Sequence, residues 1–146
     1  NFESTDDGRR AGEDLIGEGA DIIMPVAGPV GLGTAAAVRE HAGAMLIGVD
    51  TDWCTSAAEY CPVVLTSVMK NMDVAVRDAI KMALDGTFQG GTYVGTLKNG
   101  GVGIAPFHEF DGKVPDSLKK ELDQLKQDIV AGKINTGWQD YLASLK

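Results

Sequence analysis

Two apolar segments that each end in a turn constrain the fold of this chain more than any other feature. The first, residues 20–26, leads into the glycine-rich sequence of residues 28–33, and the second, residues 44–49, ends at Asp50. Short apolar runs that alternate with helical patterns are typical of strands in a parallel sheet. Ligands of open α/β sheets bind just outside the carboxyl ends of the strands. The two turns therefore predict a small-molecule site.

Size and charge narrow the class of protein. The chain has 146 residues and a formal net charge of −8. This length suits one domain with a real core, whereas the negative charge argues against nucleic acid and anionic lipid as partners, since both need a basic face. No apolar run approaches the roughly 20 residues of a membrane span, and no signal peptide is recognisable. Because the sequence begins at Asn1 rather than methionine, we expect a fragment or a processed product.

The spacing of apolar residues predicts the order of helices and strands. Helices and strands alternate in the first half, which predicts parallel strands joined by right-handed crossovers. We expect Asp6 or Asp7 to cap the first helix, and a further strand at or before Asn1–Phe2. The predicted helices are 6–18, 34–41, 71–84, 115–130 and 137–145, the last anchored by Trp138, Tyr141 and Leu142. The predicted strands are 20–26, 44–49 and 63–68, followed by a hairpin of 90–97 with 101–104.

The glycine-rich turn allows two interpretations. Gly28, Gly31 and Gly33 would bring backbone N–H groups to a ligand at a helix N-terminus, and Asp50 follows at the distance seen in dinucleotide-binding proteins. The spacing, however, is G-x-x-G-x-G rather than G-x-G-x-x-G, and Pro29 removes a donor. The alternative is a tight turn that needs glycine for steric reasons alone.

Polar groups at the strand ends are candidates for ligand contact. Asp50 is suited to accept two hydroxyl hydrogens from a vicinal diol such as a ribose; the alternative is an Asx-turn, although Asp52 is the better capping residue. Trp53 offers a flat ring for stacking or simply packs. Lys70 follows the next predicted strand, so it should converge on Asp50, unless it is a solvated lysine.

Catalytic and metal-binding patterns are not recognisable in the sequence. There is no G-x-S-x-G and no nucleophile–histidine spacing, so we interpret His41 and His108 as structural. Cys54 and Cys61 have six residues between them, and with no companion cluster they make a poor zinc site. They form either a small-loop disulfide in an oxidising compartment or two buried thiols. We expect no metal and no cofactor.

Four segments in a fixed order carry a family resemblance. They are Gly19–Gly33, Ile47–Asp52, Leu65–Lys70 and Gly101–Pro106. Together they resemble the basic membrane protein (BMP/PnrA-like) family, bacterial substrate-binding lipoproteins of ABC importers, typically for nucleosides. The resemblance implies a type I periplasmic-binding-protein fold, an α/β protein with a parallel doubly wound sheet in each of two lobes and a ligand cleft between them. This chain would be mostly the second lobe.

The resemblance also implies a division of the chain between lobes. Residues 1–70 would form the second-lobe core, residues 71–97 would cross to the first lobe, and residues 98–146 would return and add the carboxyl-terminal helices. An amino-terminal lobe outside this chain would complete the cleft. The full-length protein would be a lipoprotein anchored on the outer side of the cell membrane.

Site residues follow by position from the same resemblance. Asp50 would bind the ribose hydroxyls, Ala27 and Gly28 would line the pocket, and Lys70 would reach the ligand from the hinge. Trp53 stands where the family commonly has Gln. The implied function is a non-enzymatic receptor that captures a nucleoside-like ligand and delivers it to an ABC permease. The alternatives are a nucleotide-dependent α/β enzyme that uses the glycine turn, and the effector domain of a transcription regulator.

Overall fold

The helices and strands alternate through the first half of the chain. The computed structural model describes residues 2–144, apart from the side chains at positions 139 and 142. The helices are α1 (Thr5–Gly17), α2 (Gly31–Glu40), α3 (Trp53–Ser56), α4 (Met72–Leu84), α5 (Asp116–Val130) and α6 (Trp138–Ser144). The strands are β1 (Ile22–Ile23), β2 (Met45–Asp50), β3 (Val64–Lys70) and β4 (Val102–Ile104), and short 3-10 turns occupy Gly28–Val30, Ala58–Val63 and His108–Phe110.

The sheet has the strand order β1-β2-β3-β4. β1, β2 and β3 run parallel, as predicted, and β4 is antiparallel to β3. This parallel arrangement brings the carboxyl ends of β2 and β3 to the same edge. The core lies between the sheet and α2, where a cluster of buried apolar side chains packs together. They are Ile23, Ala35, Val38, Ala44, Leu46, Trp53 and Val64.

The first strand is shorter and more exposed than predicted. It contains only Ile22 and Ile23, and the Ile22 side chain is 43% exposed. The prediction of a strand over 20–26 buried on both faces is therefore wrong. Among the described residues β1 pairs only with β2, so its outer edge meets no neighbouring strand. The strand predicted at or before Asn1–Phe2 is not seen at Phe2, and residue 1 lies outside the described residues.

The predicted hairpin is also wrong. Residues 90–97 contain no strand, and β4 pairs with β3 instead. The side chain of Asn99 explains the difference, because its Oδ1 accepts hydrogen bonds from the backbone N–H of Thr96 (2.7 Å) and of Gly101 (3.0 Å). An asparagine that bonds its own neighbours closes a compact loop and competes with ladder pairing.

Ser4 caps α1, not Asp6 or Asp7. Its Oγ accepts a hydrogen bond from the N–H of Asp7 at 3.2 Å. The two aspartates lie in the first turn instead, where carboxylates complement the helix dipole. The sequence identified the charged first turn but placed the cap two or three residues too late.

The carboxyl-terminal helices lie where the sequence predicts them. α5 begins after Pro115 and ends before Gly132, and α6 covers most of the last predicted helix. The predicted anchor Leu142 and the end of that helix at residue 145 lie outside what the structure describes. Within residues 2–144, no helix combines the length and the apolar character that a membrane span requires.

Helix α4 leaves its apolar face uncovered. Met72, Val76, Ile80 and Leu84 recur every four residues, as the sequence predicts for an amphipathic helix, and they are 64%, 60%, 55% and 82% exposed. A surface helix of a globular protein normally turns such a stripe toward the core. This face therefore differs from that of α2, whose inner side chains are buried.

Candidate functional site

Asp50 and Lys70 meet at the carboxyl edge of the sheet. They are the last residues of β2 and β3, and the register pairs Asp50 with Met69. The Lys70 Nζ lies 2.8 Å from the Asp50 Oδ1, with the two side chains 68% and 44% exposed. The structure thus brings together the two strand-end charges that the sequence predicts to converge.

Asp50 has an unusual backbone conformation. Its φ is 72°, and the N–H of Thr51 donates to the carbonyl of Val49 at 2.9 Å. A positive φ spanned by such an i to i+2 hydrogen bond is the pattern of a γ-turn, which is rare and strained. Non-glycine residues held in this way concentrate at binding and catalytic sites. The turn ends β2 and holds the carboxylate at the sheet edge.

One oxygen of Asp50 is left without a hydrogen bond. The Oδ1 atom is shielded from solvent and accepts none from any residue of the described chain. The Lys70 ammonium is within ion-pair distance of it but outside hydrogen-bonding geometry. The ion pair with Lys70 offsets the charge of this shielded oxygen, while its lone pairs take no hydrogen bond from the described residues. This atom is therefore suited to accept a hydrogen bond from a ligand.

A depression of about 260 Å³ opens beside this carboxylate. It lies between the turn that follows β1 and the turn that follows β2. Its volume is just below the ~300 Å³ lower bound of typical ligand pockets, so this wall alone encloses little. The residues that line it include Gly28, Leu32, Asp50, Thr51, Trp53 and Ser56. We call it the Asp50 depression.

The glycine-rich turn contributes less than the sequence allowed. Gly31 and Gly33 lie buried inside α2, while Gly28, with a φ of 58°, is exposed and lines the Asp50 depression. Ala27 directly precedes Gly28 and is half-buried, but it is not among the described residues that line the depression. The steric interpretation therefore fits Gly31 and Gly33, and only Gly28 stays a candidate for ligand contact.

Trp53 lies mainly in the core. Its side chain is 7% exposed, its indole N–H donates to the Val49 carbonyl at 3.0 Å, and its backbone N–H donates to the Ser67 Oγ at 3.1 Å. Gly48 makes room for the ring, because a Cβ there would lie 2.7 Å from the Trp53 Cγ. Trp53 therefore belongs to the core and also lines the depression, with little of its surface exposed.

Cys54 and Cys61 form a disulfide, as the first of the two interpretations predicted. The bridge joins α3 to the following 3-10 turn. It also bears on metal binding, since ligand atoms of Asp52, Cys54 and His108 lie within 4.8 Å of one another. A disulfide sulfur is not a thiolate ligand. Only Asp52 and His108 remain available, so these residues do not make a metal centre.

His108 is the site neighbour that sequence reasoning missed. Its Nε2 lies 2.8 Å from the Asp52 Oδ2, and the other oxygen of Asp52 accepts the Cys54 N–H at 3.1 Å and so caps α3, as predicted. The two partners are 56 residues apart in sequence, so no local sequence pattern predicts the contact.

A larger cavity of about 790 Å³ lies elsewhere, between the loop before β4 and the end of α5. It shares no lining residue with the Asp50 depression. Its walls are mainly apolar, and none of the residues predicted for ligand binding lines it. The residues include Leu97, Val102, Val130, Ile134 and Trp138.

Comparison with known proteins decides the family. A family model described as ABC transporter substrate-binding protein PnrA-like matches residues 1–139. The chain belongs to this family. The resemblance drawn from the four sequence motifs is thereby confirmed. The PnrA-like family consists of solute-binding proteins rather than enzymes, so the expectation of a non-enzymatic protein agrees with it.

Individual relatives and a solved structure are consistent with this family. An uncharacterized lipoprotein of Pyrococcus abyssi is 33% identical over an alignment 138 positions long, which covers 85% of this chain and 33% of that protein. The ABC transporter nucleoside-binding protein BmpA of Lactococcus lactis is 29% identical over an alignment 147 positions long, which covers 91% of this chain and 40% of that protein. A solute-binding protein of an ABC transporter system from Aeropyrum pernix superposes with a TM-score of 0.70 at 25% identity, covering 92% of this chain and 45% of that one.

These coverages give the share of each relative that the chain matches. The chain spans a third to less than half of the length of these relatives. The fold prediction of an α/β solute-binding protein is confirmed, with a mostly parallel four-stranded sheet. Solute binding is favoured by these comparisons over the enzyme and transcription-regulator alternatives.

Proposed function

We propose that this chain forms one wall of the ligand cleft in the solute receptor of an ABC importer, and that the receptor binds a nucleoside-like molecule. The observation that carries the proposal is the Asp50 carboxylate. It stands in a strained turn at the sheet edge, and its Oδ1 is shielded and takes no hydrogen bond from the described residues. A ligand hydroxyl would donate a hydrogen bond to this oxygen, beside the ion pair that it makes with Lys70.

The chemistry of the site favours a vicinal diol. One carboxylate accepts two hydroxyl hydrogens, one on each oxygen, and each charge-assisted bond contributes about 1.5–3 kcal/mol. Lys70 beside it balances the negative charge, so an uncharged ligand leaves no charge unpaired when the cleft excludes water. Gly28, which has no side chain, lines the same depression and leaves room there for the ligand. A ribose carried on a neutral base satisfies all three features.

The relatives support this assignment and a location outside the cytoplasm. The Lactococcus lactis relative is named a nucleoside-binding protein, and the Pyrococcus abyssi relative is named a lipoprotein. The Cys54–Cys61 disulfide is consistent with an oxidising compartment. We therefore propose that the full-length protein is a membrane-anchored lipoprotein and that it delivers its ligand to a membrane permease.

Helix α4 supports the proposed division between two lobes. In that division residues 1–70 form the core of one lobe, residues 71–97 pack on the other, and residues 98–146 return. Four apolar side chains along α4 are more than half exposed in this chain, and covering them removes a large apolar area from water. The relatives are two to three times longer than the matched region, so an amino-terminal lobe is the proposed cover.

Ile80→Asn in the full-length protein tests this division. We expect a loss of about 2–3 kcal/mol in the free energy of unfolding, because the substitution buries an amide against the other lobe. Lys81→Asn is the matched control, since the Lys81 side chain is 73% exposed on the next position of the helix, and it should change stability by less than about 0.5 kcal/mol. Urea unfolding of both variants gives the comparison. Equally small effects would mean that α4 faces solvent.

A ligand panel tests the proposed function itself. Full-length protein is titrated by calorimetry with inosine, adenosine and guanosine, and separately with NAD and ATP. We expect the nucleosides to bind and the two phosphorylated ligands to bind at least tenfold more weakly, since the site offers a carboxylate and no phosphate-binding turn. Binding of NAD without binding of nucleosides would favour the nucleotide-dependent enzyme instead.

A further inference from the structure

We propose that His108 is a positioning residue for the ligand site, which holds through Asp52 the turn that presents the Asp50 carboxylate. The inference rests on the proposed function for the statement that a ligand contacts Asp50. It adds a residue that lies outside the Asp50 depression and that comes from a segment far along the chain.

The contacts form an unbroken path. The His108 Nε2–H donates to the Asp52 Oδ2 at 2.8 Å, and the Asp52 Oδ1 accepts the N–H of Cys54 at 3.1 Å. The carbonyl of Asp52 accepts the N–H groups of Thr55 and Ser56 at 3.0 and 2.9 Å. Asp52 is therefore bound on both carboxylate oxygens and on its carbonyl, two residues after Asp50.

The short turn between Asp50 and Asp52 limits independent motion. Thr51 is the one residue between them; its N–H is bonded to the Val49 carbonyl at 2.9 Å and its Oγ1 lies 2.8 Å from the Ser56 Oγ. Rotation of the Asp52 side chain away from His108 would break its bond to the Cys54 N–H, which caps α3, and so weaken the support of this turn. Asp50 then loses the constraint that keeps it in its unusual conformation.

Backbone geometry points to the same pair. Across residues 2–144 the only non-glycine residues with a positive φ are Asp50, at 72°, and His108, at 44°. Conformations of this kind persist only where surrounding contacts over-determine them, and they concentrate at functional sites. Asp52 is the residue that links the two, because it follows Asp50 in the chain and bonds His108 through space.

The segment that carries His108 is itself firmly held on β3. Ala105 donates its N–H to the Ser67 carbonyl at 2.8 Å, and its own carbonyl accepts the Thr66 Oγ1–H at 2.7 Å. Phe110 is buried beyond the histidine, at 9% exposure. His108 is thus a fixed point from which the Asp50 turn is oriented, rather than a mobile surface side chain.

Two substitutions at this position separate positioning from stability. His108→Gly removes the donor and accepts a positive φ without strain, so the fold should survive. His108→Gln restores an N–H donor at nearly the reach of Nε2. Both are made in the full-length protein, and thermal unfolding checks that each variant is folded. The readouts are calorimetric affinity for inosine and the hydrogen-exchange rate of the Cys54 amide in the ligand-free protein.

We expect His108→Gly to weaken inosine binding about fivefold, the loss of roughly one hydrogen bond, and to speed exchange of the Cys54 amide severalfold. His108→Gln should return both towards the values of the unsubstituted protein. If the unsubstituted protein binds no nucleoside, the proposed function fails, while faster exchange in His108→Gly that Gln reverses still supports the positioning of the turn. Unchanged exchange in His108→Gly, or unchanged affinity in a protein that binds inosine, would overturn the inference.

Discussion

Asp50→Asn should reduce the affinity of the full-length protein for inosine by about tenfold to a hundredfold. The substitution removes the charge that strengthens each hydrogen bond to the ligand, and about 1.4 kcal/mol corresponds to each factor of ten. Asparagine is the variant of choice because, like aspartate, it tolerates the positive φ that Asp50 adopts, at 72°. Alanine at this position should lose at least as much affinity, with added backbone strain.

The control for this variant is Asp85→Asn. Asp85 is the C-cap residue that follows α4, and its exposed carboxylate pairs with Lys81 at 2.7 Å. Asp85→Asn makes the same chemical change at a residue that does not line the Asp50 depression. The affinity for inosine should therefore stay within twofold, a difference of about 0.4 kcal/mol. Calorimetry of both variants with one nucleoside is sufficient. An Asp50→Asn protein that binds as tightly as Asp85→Asn would remove Asp50 from the site.

Gly33→Ala should destabilise the protein by about 3–5 kcal/mol, close to the upper limit for a single methyl group. A Cβ at this position would lie 1.8 Å from the Thr5 carbonyl oxygen and 2.8 Å from the backbone nitrogen of Arg9. Both atoms belong to the backbone of α1, so no side-chain rotation relieves the overlap and the two helices must separate. The contact between α1 and α2 would then be lost from one side of the sheet.

Gly17→Ala is the matched control for the helix contact. Gly17 is the last residue of α1, and a Cβ there would meet no other atom within 4 Å. Alanine is the better helix former, so this variant should be unchanged or slightly more stable. Chemical unfolding of the two variants separates the steric overlap at Gly33 from the general effect of replacing a helical glycine by alanine. Equal stabilities would show that α1 and α2 can shift apart at little cost.

The strand-end charges were predictable from local patterns. Apolar runs mark β2 and β3, and Asp50 and Lys70 are the polar residues that end them. Once the strands are parallel, geometry alone brings these ends together. Local patterns also predicted the bounds of the helices α4 and α5, because each is a long segment with strong apolar or charged periodicity.

Contacts between distant segments account for what the sequence did not predict. The role of Gly33 depends on how closely α1 crosses α2, and the burial of Trp53 depends on the space that Gly48 leaves in the neighbouring strand. His108 meets Asp52 across 56 residues. None of these follows from spacing along the chain. The failed hairpin has a different cause, because the side chain of Asn99 takes backbone bonds that the pattern assigned to a strand pair.

The most direct test of the account compares two ligands on two proteins. Inosine and 2′,3′-dideoxyinosine differ only in the ribose hydroxyls that Asp50 is proposed to bind, and each is titrated into the unsubstituted full-length protein and into Asp50→Asn. We predict that the unsubstituted protein prefers inosine by at least about tenfold and that Asp50→Asn loses most of this preference, since the carboxylate and the diol act as a pair. An Asp50→Asn protein that retains the full preference for inosine would contradict the proposed contact.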